Sequence, residues 1–158
     1  MLVTSDNTMA SSRVGQLLLA AAGERSITDL GWREYLEFSA SSVKNDGPFS
    51  GVLFWAPTQG PTGSQRKMLT EEYAEAVRID AQRCVALISD STMVRGALTA
   101  INWFAKKNMR AFARTDIQQA LDWMADEIEF DRQEAEQALG LIIVAVQRQL
   151  ERAPVITK

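Results

Sequence analysis

Short apolar runs alternate along this chain with segments whose apolar residues recur at helical spacing, and this alternation constrains the fold more than any other feature. The runs are 14–22 (VGQLLLAAA), 49–55 (FSGVLFW), 84–89 (CVALIS) and 109–113 (MRAFA). The first also has a Leu/Ala content that suits a helix; the third is almost wholly apolar, as expected of a strand covered on both faces. Between the first two, Leu30, Trp32, Tyr35, Leu36 and Val43 follow the cap candidates Ser26, Thr28 and Asp29 and stop at Asn45-Asp46-Gly47-Pro48. Segment 64–79 carries Leu69, Tyr73, Ala76 and Val77 on one face. Asp90-Ser91-Thr92 precedes Val94, Ala97, Leu98, Ile101, Phe104 and Ala105, and Thr115 or Asp116 caps Ile117, Ala120, Leu121, Met124, Ala125 and Ile128. A last helix is expected over 131–152. Strand and helix in regular alternation predict an α/β fold: a small, mostly parallel four-stranded sheet with helices packed on it, plus an extra C-terminal helix.

Composition narrows the chemistry by elimination. At 158 residues and 46% apolar content the chain makes one domain with a real core. It contains no histidine, which removes imidazole acid/base work, Ser-His-Asp and Cys-His constellations and the usual zinc sets. One cysteine removes disulfide frameworks and Cys-x-x-Cys pairs. A net charge of −3 argues against a nucleic-acid binder. No apolar run reaches the roughly 18–20 residues of a membrane span. Residues 1–12, rich in Ser, Thr and Asn, read as a flexible polar leader and not as an export signal. The expected organisation is therefore leader 1–12, α/β domain 13–130, C-terminal helix 131–152 packing on the domain or a partner, and tail 153–158. The expected location is the cytoplasm, without a cofactor.

Each local motif has a plain reading beside a functional one. Gly60-Pro61-Thr62-Gly63-Ser64 lacks the Gly-Lys-Ser/Thr of a phosphate loop, because Gln65 follows Ser64 and Lys67 comes late; it reads as a surface loop with a helix cap. Asp90-Ser91-Thr92 lies just past the carboxyl end of a buried strand and opens a helix, the edge at which open α/β sheets bind ligands. Arg95 adds a positive charge one turn in; the plain reading is a helix cap. The acidic groups Glu71-Glu72-Glu75 and Asp126-Glu127-Glu129-Asp131 read as solvated faces, and Cys84 as a small buried hydrophobe. Lys106, Lys107, Arg110 and Arg114 form a basic cluster, either compensating a helix dipole or facing an acidic partner or lipid headgroup. Trp103 turns toward a flank of its helix and marks a contact surface, whereas Trp55 and Trp123 read as core.

From Gly51 to Met124 the order GVLFWAP, Pro/Gly loop, helix, CVALISDSTMVRGALTAINWFAKKN and MRAFARTDIQQALDWM resembles the SpoIIAA-like proteins of the STAS/SEC14 superfamily. The likeness covers about three-quarters of the chain, more loosely before Gly51. It implies a small α/β fold that does no chemistry and regulates partner proteins by docking, or, as in SEC14 relatives, holds a lipid. In anti-anti-sigma factors of this superfamily a serine in Asp-Ser-Ser/Thr-Gly is phosphorylated. Asp90-Ser91-Thr92 is similar to that stretch, with Ser91 as acceptor, but Met93 stands where the glycine would be. The expected function is thus a non-enzymatic regulatory or scaffold protein acting on protein partners. The alternatives are a carrier of a small apolar or lipid ligand and an enzyme with an unrecognised carboxylate site.

The C-terminal helix carries one further expectation. Ala135, Leu139, Ile142, Val146 and Leu150 supply its apolar stripe, with Ala138 and Ala145 beside them. Leu141, Ile143 and Val144 fall away from that stripe. Covering them predicts a two-fold homodimer.

Overall fold

The computed structural model describes residues 1–57, 59–92 and 108–151, with side chains described up to Arg148. Among these residues the α/β fold contains a six-stranded mixed sheet: β1 (Leu2–Val3), β2 (Met9–Val14), β3 (Leu17–Ala22), β4 (Gly51–Trp55), β5 (Cys84–Ile88) and β6 (Asn108–Phe112). Neighbours in the sheet follow chain order. β1, β2 and β3 pair antiparallel, and β3 through β6 pair parallel.

Two of these strands lie where a leader was expected. Residues 1–12 form β1 and most of β2, with Met9, Ala10 and Ser11 wholly buried. Their polar composition is compatible with burial because the hydroxyls are spent on the backbone. Thr4 Oγ1 accepts from Met9 N–H at 3.1 Å, and Ser11 Oγ donates to Leu19 O at 2.6 Å. Run 14–22 is likewise no single strand. It holds the end of β2, a tight turn at Gly15 (φ +54°) and Gln16, and the whole of β3. The positive φ suits glycine, which has no Cβ to clash. The expected four-stranded sheet therefore gains an antiparallel hairpin on one side.

Helix α1 (Asp29–Asp46) starts where Thr28 accepts a hydrogen bond from Gly31 N–H and ends at Gly47. Helix α2 (Gly63–Met68) opens with a capping box between Thr62 and Gln65. The expected helix over 64–79 does not run through. It widens into a π turn at Leu69–Tyr73 and breaks at Arg78, whose backbone is left-handed, before a 3-10 turn at Ile79–Ala81. Val77 is buried, but Ala76 is exposed. Helix α3 (Ile117–Glu127) follows a 3-10 turn over Arg114–Asp116. Asp116 takes the N-cap position there but makes no side-chain cap bond. Ala125 faces solvent, while Ala120, Leu121 and Met124 point inward. Helix α4 (Arg132–Glu151) begins where Asp131 Oδ1 accepts from Glu134 N–H at 2.9 Å. Among the described residues no helix is long and apolar enough to cross a membrane.

Strand side chains alternate between faces, so β3 feeds two cores at once. Leu18 and Ala20 join Val52, Phe54 and Leu87 under Trp32, Tyr35 and Leu36 of α1 and Val77. Leu17, Leu19 and Ala21 join Leu53, Trp55, Ala86 and Ile88 under Leu121 and Met124 of α3 and Leu139, Ile142 and Val146 of α4. Burial on both faces is why β3, β4 and β5 read as unbroken apolar runs. Each large side chain so buried stabilises the fold by about 1.5–3 kcal/mol.

Candidate functional site

The parallel strands β4, β5 and β6 finish in register, Trp55 beside Ile88 beside Phe112. Backbone bonds extend the alignment by one residue: Ala56 N–H donates to Ile88 O and Ser89 N–H to Phe112 O, both at 2.9 Å. Ser89 is fully buried, and its Oγ accepts from Ser91 N–H at 3.1 Å, which bends the chain off the strand. Ser91 stands between the strand and the helical Thr92, partly exposed, and Thr92 and Asp90 are exposed. This is the strand-end position that the sequence assigns to the three residues.

Register explains their neighbour. Asp90 and Arg114 each lie two residues past a strand end in the aligned pair, so they stand side by side. Asp90 Oδ1 accepts from Arg114 N–H at 3.0 Å, and Arg114 Nε lies 3.4 Å from Asp90 Oδ2. The Arg114 guanidinium also sits 5.8 Å from the centre of the Trp55 ring. Both charged side chains are about half exposed, so the ion pair contributes roughly 0–1 kcal/mol and serves chiefly to position the loop. Asp90, Arg114 and Trp55 thus tie three strand ends into one edge. The positive charge described at this edge is Arg114, paired with Asp90, a residue read from the sequence only as a member of a basic cluster. Arg95, Trp103, Lys106 and Lys107 lie outside the described residues. Of that cluster, Arg110 stacks 5.3 Å from the centre of Phe112, which in turn lies 5.9 Å from Trp123.

At the opposite, amino end of the strands lies an open depression of about 570 Å³ walled by Gln16, Ser50, Arg83 and the carboxylates of Asp126, Glu127 and Glu129. Those three acidic residues are exposed. Cys84 beneath them is buried, and its thiol is pushed up to about 11 by burial first and by the Glu127 charge second, with Arg83 opposing. Such a thiol is a poor nucleophile at neutral pH. Among the described residues no three His, Cys, Asp or Glu side chains are arranged to hold a metal ion. The Gly60–Ser64 stretch is a capped helix start, as its plain reading had it: Gln65 is buried, and its Nε2 donates to Ile27 O at 2.8 Å.

The α4 residues divide. Leu141 is 63% exposed and Val144 39%, as the helix pattern predicts. Ile143 does not join them: it is partly buried against the α3/α4 core, because its side of the helix faces the sheet's flank. Comparison with known proteins finds no matching family model, no similar curated protein and no similar solved structure.

Proposed function

We propose that this chain is a non-enzymatic, STAS-like regulatory or scaffold protein that works by protein–protein contact at the carboxyl edge of its sheet, around Asp90, Ser91 and Thr92. One observation carries this reading: Ser91 is held off the strand by the buried Ser89 hydroxyl and directly follows Asp90, whose carboxylate binds an Arg114 that also lies over Trp55. A partly exposed serine on a braced loop is a position a kinase could reach. A phosphate there adds about −1.5 to −2 charge and repels Asp90 while attracting Arg114, so the clamp is the element a modification would rearrange. The resemblance to SpoIIAA-like proteins points to the same serine.

Aromatic side chains that a lipid carrier would use to line a cavity are packed on one another. Trp32 lies 5.1 Å from Tyr35 and 6.4 Å from Phe54, centroid to centroid, which favours the contact reading over the carrier. The test is affinity capture from native extract with the intact chain, Ser91→Ala and Ser91→Asp, with mass identification of what is retained. Ser91→Asp is expected to change the retained partners while the melting temperature stays within about 1–2 °C, as for a surface substitution. Identical partner profiles for all three chains would sink the switch and leave Asp90-Ser91-Thr92 as a helix cap.

A further inference from the structure

Helix α4 has two stripes, and among the described residues only one of them is buried. Ala135, Leu139, Ile142 and Val146 are buried against the sheet. On the other side Glu134, Gln137, Leu141, Val144 and Arg148 are all exposed. Their alternating three- and four-residue steps form the seam of a heptad, and at 3.6 residues per turn that seam lies about 150° around the helix from the core stripe. Its centre is apolar, through Leu141 and Val144, and its ends are polar. Gly140 borders it with open space: an added Cβ would meet nothing within 4 Å, so a second helix can come close there.

We propose that α4 pairs with α4 of a second copy of this chain in antiparallel orientation, Leu141 of each copy packing on Val144 of the other. Charge decides the direction. Glu134 stands at the amino end of the seam and Arg148 at the carboxyl end. A parallel pair sets like on like. The antiparallel pair sets Glu134 of each copy opposite Glu151 of the other but brings Arg148 beside Gln137 and within one turn of both acids. The two-fold axis then passes at the level of Ile142 and Ile143, the middle of Arg132–Glu151, so the helices overlap along nearly their whole length. One patch serves both partners, as an isologous contact requires. Because only two large apolar residues per copy enter it, the dissociation constant is expected at roughly tens of micromolar.

Sedimentation equilibrium of the full chain, from roughly micromolar to millimolar concentration, is expected to show a monomer–dimer equilibrium. Leu141→Glu and Val144→Glu, at exposed positions, should abolish it with an unchanged melting curve. Arg148→Glu should weaken it about tenfold, and Glu134→Arg added to the same chain should regain most of that loss. Orientation has its own readout: spin labels on Gln133→Cys, with the buried Cys84 unlabelled, should lie about 30 Å apart in the antiparallel dimer and about 10 Å apart in a parallel one. A monomer throughout, a dimer indifferent to Leu141→Glu and Val144→Glu, or the short label distance would each overturn the proposal.

Discussion

At the scale of single residues, the first turn of α1 is where the hairpin is fastened. Asp6 Oδ1 accepts from the Thr8 backbone N–H at 3.1 Å and from the Thr8 hydroxyl at 2.8 Å, while Asp6 Oδ2 accepts from the Thr28 hydroxyl. Gly31 lies inside this cluster. A Cβ there would strike Thr8 Oγ1 and come within 3.1 Å of Asp6 Oδ1 and 3.2 Å of Thr28 Oγ1. Thr8 is β-branched and hydrogen-bonded, so it has little room to yield. Gly31→Ala is therefore expected to destabilise by about 1–3 kcal/mol despite alanine's better helix propensity. A melting temperature equal to or above the parent's would contradict the cluster. Asp6 also titrates informatively. Burial works to raise its pKa, but the hydrogen bonds from Thr28, Thr8 and Thr4 prevail and hold it below the ordinary 3.8. Its contribution is then fully present above that unfolded value and is lost as pH falls through the lower folded one. Denaturant titrations of the parent and Asp6→Asn should differ at neutral pH and converge in acid below about 3.8. A constant gap across that window would remove Asp6 from the acid response.

At the scale of elements, legibility followed how local the determinants are. The α1 boundaries were readable because Thr28 and Gly47 act within one turn of the helix ends. β4, β5 and β6 were readable because apolar runs between turn residues have few other uses. β1 and β2 were not. Their Ser and Thr residues look like solvated leader until the partner strand supplies carbonyls such as Leu19 O, and the turn at Gly15 hides inside an apolar run. Segment 64–79 has helical spacing, but its winding changes at Leu69 and Arg78 with no Pro or Gly to announce it. At the edge site, Asp90 and Ser91 could be placed from their own strand. Arg114 could not, because its position depends on parallel register between segments far apart in sequence. Arg13 shows the same dependence. From β2 it reaches the carboxyl end of α1, donating to Ser42 O at 3.1 Å and Gly47 O at 2.6 Å, and it also donates to Gly15 O at 2.8 Å while stacking on Phe49. Arg13→Lys keeps the charge but not the fork that serves several carbonyls at once. It is expected to destabilise by roughly 1–2 kcal/mol, close to Arg13→Ala. Full rescue by lysine would show that charge alone matters there.

At the scale of the molecule, the chain's first residues decide whether both cores close. β2 lies between β1 and β3, with α4 on one face and α1 on the other. Met9 belongs to the core under α1 and Ala10 to the core under α4, so one short strand seals both layers. Deleting residues 1–12 removes β1, most of β2 and the Asp6 cluster that binds the hairpin to α1. Burial of Met9 alone is worth about 1.5–3 kcal/mol, and the ladder to β3 goes with it. Losses of this size are a large share of the roughly 5–15 kcal/mol that holds a domain together. The new sheet edge would be β3, whose sequence LLLAAA has no charge or proline to discourage strand pairing with another chain. The truncated chain is therefore expected to melt at least about 10 °C lower, over a broader transition, and to aggregate on concentration. Thermal melting by circular dichroism with light scattering on the same sample measures both effects. A flexible leader, by contrast, could be removed without either consequence. A truncated chain that melts with the parent and stays dispersed would mean the hairpin is not part of the folded sheet.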